Sequence, residues 1–160
     1  MDKSLSDTEM KRHIPNLVSY DEIEHMNEKE LLRRLPLVVL YLNAKDTGHW
    51  TLVHKVPGSI EFFDSYGYKP DQEFKFIPDE FQTPKYLAKL LNQIIRTTPI
   101  SYNQYQFQEK RHGVNTCGRH VLMRNMFSDV GIEDYRRGIQ NVCSSTGLSP
   151  DELSVKITNC

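Results

Sequence analysis

The sequence predicts an α+β fold, a small, mostly antiparallel central sheet flanked by helices. Three observations predict it. Residues 1–35 carry repeated helix-start signatures; the middle of the chain changes to short β-prone runs parted by turn residues; helical spacing returns beyond residue 116. At 160 residues, 38% hydrophobic and 26% charged, the chain suits one domain with its own buried core.

Ser6-x-x-Glu9, Ser19-x-x-Glu22 and Asn27-x-x-Glu30 each resemble a capping box, in which two side chains satisfy orphan amides at a helix start. Leu31, Leu32 and Leu35 give the third of these helices an apolar side, and Pro36 stops it. The period then changes. Residues 37–42 form a continuous apolar run that suits a central strand covered on both faces. Residues 49–56 and 60–64 read as two more strands around Pro57-Gly58-Ser59, a hairpin. Residues 67–83 hold glycine, prolines and interspersed aromatics, which predicts an irregular surface excursion.

Thr83-Pro84 is a helix start, an N-cap followed by proline in the first turn. Leu87, Leu90, Leu91 and Ile94 then supply the apolar stripe of a core-facing helix. Residues 100–108 alternate as a strand does, and 109–116 form a polar loop. A helix begins at Cys117, with Met123, Met126, Phe127 and Val130 along one side, and Gly131 interrupts it. A further helix covers 132–142, and Ser149-Pro150-Asp151-Glu152 opens a last short one.

Composition narrows the function. With 20 Lys and Arg against 21 Asp and Glu, the net charge of −1 lacks the footprint of a nucleic-acid binder. Arg33-Arg34, Lys110-Arg111-His112 and Arg136-Arg137 are scattered groups that read as solvated surface. Three cysteines, Cys117, Cys143 and Cys160, are too few and too unevenly spaced for a disulfide scaffold and point to a reducing compartment. No apolar signal region opens the chain, and no apolar run approaches the length of a membrane span. A soluble protein inside a cell or packaged in a particle is expected.

Three short settings carry chemistry: Gly48-His49-Trp50, Phe62-Phe63-Asp64-Ser65-Tyr66-Gly67 and Asn115-Thr116-Cys117-Gly118-Arg119-His120. They supply a base, a carboxylate to orient it and a thiol nucleophile. If Pro57-Gly58 is a two-residue loop, Val56 pairs with Ser59 and Thr51 with Asp64. His49 and Asp64 are then diagonal neighbours on one face. A longer loop with a bulge shifts that register. Cys117 stands at a helix start, where free amides and the helix dipole favour a thiolate. Gly118 leaves a substrate's approach open, and the Cys117 backbone amide can donate to an oxyanion. Gln108 is the candidate for a second donor and Gln106 the runner-up, both on one face of the expected strand.

Each setting also has a plainer reading. His49-Trp50 can be packing, Asp64 can simply open a turn, and Cys117 can be a small buried hydrophobe. Cys117-x-x-His120 with His112 and Cys143 could hold zinc, although the spacing lacks a second tight pair. His54 alternates onto the Trp50 face, away from His49, and reads as structural.

The conjunction of Gly-His-Trp, an aspartate 15 residues on in an aromatic-Asp-Ser-Tyr-Gly context, and Gln…Cys-Gly resembles the adenovirus-protease-like and ubiquitin-like-protein-protease superfamily of cysteine peptidases. The likeness spans about residues 36–130. His49, Asp64, Gln108 and Cys117 match its base, orienter, oxyanion donor and nucleophile, and Trp50 matches the tryptophan that follows the histidine. Tyr102-Asn103 and the stretch 115–120, with no Asp before the cysteine, look most like the versions carried by virophages, large DNA viruses and Polinton-type elements. The resemblance implies an adenain-like maturation protease, with a papain-like active site in His-Asp-Cys order. It implies cleavage of viral capsid or core precursors at glycine-containing sites through an acyl-enzyme, in a narrow cleft walled by Trp50. Removal of ubiquitin or a ubiquitin-like modifier is the alternative, and an inactive binding module of the same fold a second one. No metal or cofactor is implied. An activating peptide or DNA is known in the superfamily, but the near-neutral charge gives no support for DNA. A monomer is expected, in the virion or the host-cell cytoplasm. The chain then divides into an N-terminal helical segment (1–35), a catalytic core (36–130) and C-terminal helices (131–160).

Overall fold

The computed structural model describes residues 4–44, 47–77, 79, 85–111 and 114–159. Five strands form one sheet in chain order: β1 (Leu17–Ser19), β2 (Leu37–Ala44), β3 (Thr47–Val56), β4 (Ser59–Phe63) and β5 (Ile100–Tyr102). β3 runs antiparallel to β2 and β4, whereas β1 is parallel to β2 and β5 parallel to β4. The sheet is therefore mixed rather than mostly antiparallel. Both outer strands are joined to their neighbours by crossovers, which a parallel pair requires. The β1–β2 crossover holds a 3-10 turn (Tyr20–His25) and helix α2 (Glu28–Arg33). The β4–β5 crossover holds a 3-10 segment (Gln72–Phe76) and helix α3 (Tyr86–Ile94). β1 lies inside the segment read as helical; at three residues it is too short to show a period.

Helices cover both faces, giving three layers. Leu37, Val39 and Tyr41 of β2 join one core with Leu31 of α2 and the α3 stripe Leu87, Leu90, Leu91 and Ile94. Val38 faces the other core, built with α1 (Asp7–His13), α4 (Cys117–Met126), α5 (Ile132–Thr146) and α6 (Pro150–Thr158). The central strand is thus covered on both sides, as its unbroken apolar run implies. Each large apolar side chain so buried contributes about 1.5–3 kcal/mol relative to exposure.

The helix starts follow the sequence signals. Full capping boxes form at Ser6-Glu9 and Ser149-Glu152, and Asn27 accepts the Glu30 amide at 2.8 Å. The Ser19-Glu22 pair also forms, but it opens the 3-10 turn rather than an α-helix. Thr83-Pro84 lies outside the described residues; α3 begins after Lys85. In the β3–β4 hairpin Val56 pairs with Ser59, so the loop is the two residues Pro57-Gly58. Gly58 has φ of 80°, the left-handed position that follows proline in a tight turn.

Four further expectations need correction. The strand expected over 100–108 stops at Tyr102, because the Asn103 side chain replaces ladder bonds with its own. Its Oδ1 accepts the Tyr105 amide at 2.8 Å and its Nδ2 donates to the Tyr105 carbonyl at 2.9 Å. Residues 67–77 are not a surface excursion: Tyr68, Asp71, Glu73, Phe74 and Ile77 are buried. Phe74 packs edge-on to Tyr20 and Tyr41, with ring centroids 4.8 and 5.4 Å away. On α4, Met123 is in the core, but Met126 and Phe127 at the helix end are 58% and 41% exposed. The helix is instead covered on most sides, with the consecutive Val121, Leu122 and Met123 all buried. Finally, α5 runs to Thr146, past the expected 142, until left-handed Gly147 ends it. Among the described residues no helix is long and apolar enough to cross a membrane.

Candidate active site

Where β2 and β3 pair, Tyr41 lies opposite His49 and Leu42 opposite Gly48. A Cβ on Gly48 would stand 2.5 Å from the Tyr41 carbonyl oxygen, so only glycine permits this approach. The next residue, His49, is buried, and its ring stacks on Tyr66 with centroids 4.8 Å apart. The hairpin register delivers Asp64 to it. Asp64 Oδ1 accepts from His49 Nε2 at 3.0 Å and from the Tyr66 amide at 2.7 Å.

The Asp64 carbonyl also accepts the Gly67 amide at 2.8 Å and Asn103 Nδ2 at 2.7 Å. One aspartate therefore opens the turn and orients the base. The turn fixes its carboxylate, and the carboxylate fixes the imidazole. Gly67 has φ of 82°, and a Cβ there would meet the Tyr105 backbone at 3.0 Å.

With Nε2 engaged by Asp64, His49 shares the cleft with Cys117, whose thiol also acts on the imidazole. Burial alone would lower the His49 pKa. The Asp64 charge and hydrogen bond, with the thiol's contribution, outweigh it and hold the imidazole well above its ordinary range.

Cys117 is the first residue of α4. Thr116 stands at the N-cap, yet its hydroxyl does not cap the helix; it donates to Asp151 Oδ1 at 2.6 Å. The free amides and positive end of the helix thus face the thiol without a competing side chain. Asp151 also accepts from His120 Nε2 at 2.8 Å and from the Glu109 amide at 3.0 Å. Burial would raise its pKa, but the bonds from His120, Thr116 and Glu109 hold the carboxyl below the usual range.

Gln108 is buried and locked at both ends of its carboxamide. Oε1 accepts from Ser65 Oγ at 2.6 Å, and Nε2 donates to the Val114 carbonyl at 3.2 Å. A carboxamide nitrogen carries two hydrogens, so the second can serve a substrate oxygen. Gln106 is exposed and donates to the Gln108 carbonyl at 3.0 Å instead. A cleft of about 840 Å³ brings together His49, Trp50, Gln108 and Cys117; Gln106 is outside its lining.

Gly118 has a different part from the one expected. A Cβ there would stand 3.1 Å from both Met10 Cε and Trp50 Cδ1, so the glycine admits packing of α1 and Trp50 onto α4. It does not line the cleft.

Sequence reasoning missed three contributors. Residues 4–9 form one wall of the cleft, although the N-terminal segment carries no chemical motif. Asp151 reads in sequence only as part of a helix cap. Glu73 falls in the stretch taken for surface, yet it is buried, lines the cleft and has a ligand atom within 4.8 Å of those of His49 and Asp64. Burial, then the Asp64 charge, pushes its pKa up against the opposing pull of His49 and Lys110.

His49, Asp64 and Glu73 are the sole cluster of potential metal-binding groups among the described residues, but His49 and Asp64 are already bonded to each other. The zinc set built on Cys117 and His120 does not assemble. His120 is bound to Asp151, Cys143 joins no such cluster, and His112 lies outside the described residues, as does Cys160. His54 is structural as expected. Its Nε2 meets Glu61 at 3.2 Å, and Arg124 closes the buried group at 2.6 Å from the same carboxylate.

An imidazole oriented by a carboxylate, a thiol at a helix head and an anchored amide donor can together form and stabilise a covalent acyl intermediate. No family model matches the chain. It is 33% identical over 151 residues to "Uncharacterized protein V9" of the Sputnik virophage, a match that covers 90% of this chain and 82% of that protein.

Proposed function

The chain belongs to the same family as protein V9 of the Sputnik virophage, and from that premise we propose that it is a cysteine endopeptidase of the adenovirus-protease-like fold. Its task is to cut viral capsid or core precursors during particle maturation, in the virion or the host-cell cytoplasm. One observation carries the reading: His49 is held by Asp64 at 3.0 Å through Nε2 in the cleft that Cys117 also lines.

In this mechanism His49 Nδ1 takes the proton of the Cys117 thiol. The thiolate attacks the scissile carbonyl carbon, and its oxygen becomes an oxyanion between the Gln108 carboxamide and the Cys117 amide. The C–N bond breaks as His49 returns the proton to the leaving amine. Water then gives a proton to His49 and attacks the thioester, and the C–S bond breaks to free the acid. Trp50 narrows the cleft beside Cys117, which suits small residues such as glycine at the scissile bond.

The test is labelling with limiting iodoacetamide near neutral pH, followed by mapping of the alkylated cysteine and incubation with virophage capsid precursors. Selective alkylation at Cys117, lost in Cys117→Ala and His49→Ala, with precursor cleavage lost in the same variants, is the expected result. Labelling spread evenly over the cysteines, or cleavage that survives Cys117→Ala, removes the reading. Rapid reaction with a modifier carrying a C-terminal electrophile, without precursor cleavage, reassigns the enzyme to deconjugation.

A further inference from the structure

We propose that Glu73 is a specificity determinant that receives a lysine or arginine side chain of the substrate inside the cleft. The inference rests on the peptidase reading and names the class of substrate. Its starting point is a cost. Glu73 is 7% exposed, and its Oε2 has no hydrogen-bond partner. Leaving a buried carboxylate oxygen unpaired is expensive, and the expense is recovered when a donor is brought to it.

Among the described residues that donor is not supplied by the surroundings. Lys110, whose charge reaches Glu73, sits over the Tyr68 ring at 4.4 Å and forms no ion pair with the carboxylate. His49 is committed to Asp64 and Cys117. The cleft lining adds Asp7 and Glu9 and, among the described residues, contains no lysine or arginine. Glu9 is engaged by Ser6 in its capping box and Asp7 is exposed to solvent, so Glu73 is the lining carboxylate with a buried idle oxygen. A cation entering this site meets negative potential on entry and an unspent acceptor at its end. A guanidinium or ammonium group on the substrate satisfies both.

The position of Glu73 adds selectivity. Its carboxylate lies within 4.8 Å of the His49–Asp64 pair, so the cationic side chain belongs to a residue close to the scissile bond.

The experiment uses fluorescein-labelled peptides with a central Gly-Gly pair and one Arg stepped through the neighbouring positions, with a matched set carrying Gln. Both sets are titrated into the folded Cys117→Ala protein. Arg at one position is expected to tighten binding by about tenfold or more, the strength of a charged hydrogen bond made in a dry site. That gain is expected to vanish in the Cys117→Ala, Glu73→Gln protein, and Glu73→Lys is expected to favour Glu at the same position. Equal binding of both sets, no binding by either, or an Arg preference that survives Glu73→Gln overturns the inference. Cleavage by the protein that retains Cys117 scores the peptidase reading separately. An Arg-preferring peptide that binds and is never cut removes that reading alone, and cleavage without charge preference removes this inference alone.

Discussion

Asp151 and Thr116 are joined by a 2.6 Å hydrogen bond across 35 positions of sequence. The bond places the last helix in charge of the residue that immediately precedes Cys117. The same carboxylate holds the Glu109 amide, one residue beyond Gln108, and the buried His120 on the first turn of α4. A single side chain therefore ties the arm that carries the Cys117 thiol to the arm that carries Gln108.

Removing that tie should loosen both arms. In Asp151→Ala the Thr116 hydroxyl, the His120 ring and the Glu109 amide all lose an acceptor, and each unpaired buried group costs about 1–3 kcal/mol. A lower urea midpoint and alkylation of Cys117 slowed by about tenfold are expected together. The Asp151 carboxyl is held below its ordinary range, so its contribution is fully present above the usual Asp value near 3.9. It is lost as pH falls through the depressed folded value. Acid unfolding of Asp151→Ala should thus lack part of the steepness seen in the wild type at the acid end.

The pH dependence of Cys117 alkylation tests the His49–Asp64 pair. Asp64 and the thiol raise the His49 pKa against burial, so the imidazolium persists above the usual histidine value near 6.5. The stabilisation that comes with it is complete below that value and fades as pH rises through the raised one. The reactive pair should therefore survive into alkaline solution. Asp64→Asn removes the charge and leaves the burial, which moves the alkaline limb to lower pH and slows turnover. An unchanged limb in Asp64→Asn would mean that Asp64 serves the turn and not the base.

Much of this site is legible in the sequence because its parts sit in short, local settings. His49 and Asp64 meet through a two-residue hairpin whose register follows from Pro57-Gly58, and Cys117 announces itself at a helix start. Glu73 and Asp151 are invisible for the opposite reason. Each reaches the site through a long-range contact, and neither sits in a pattern that chemistry requires. Asn103 hides the end of β5 in the same way, since a side chain that competes with the ladder leaves the alternation of 100–108 intact on paper. The parallel outer strands are obscured by length, at three residues each.

The two glutamines should separate cleanly. Gln108 is anchored by Ser65 and Val114 beside the cleft, whereas Gln106 is solvent-facing. Gln108→Ala is expected to lower kcat by about a hundredfold with little change in KM, as loss of one oxyanion donor does. Gln106→Ala should stay within about twofold. Ser65→Ala leaves the Gln108 Oε1 without its donor, so it should fall between the two. A KM effect in place of a kcat effect at Gln108 would assign it to substrate binding.

Gly48 offers a test that separates architecture from chemistry. Its missing side chain lets β3 approach β2 at the residue before the base, and a Cβ would stand 2.5 Å from the Tyr41 carbonyl oxygen and 2.7 Å from Leu40 Cδ1. The first of these is backbone, which cannot rotate away. Gly48→Ala must therefore push the strands apart, at about 1–3 kcal/mol for an overpacked site. Because His49 is the next residue, the same displacement breaks its 3.0 Å bond to Asp64. The expected signature is a lowered unfolding midpoint together with an alkaline limb moved down as in Asp64→Asn. A lowered midpoint with an unmoved limb would show that the base keeps its partner when the strand shifts, and that Gly48 serves packing alone.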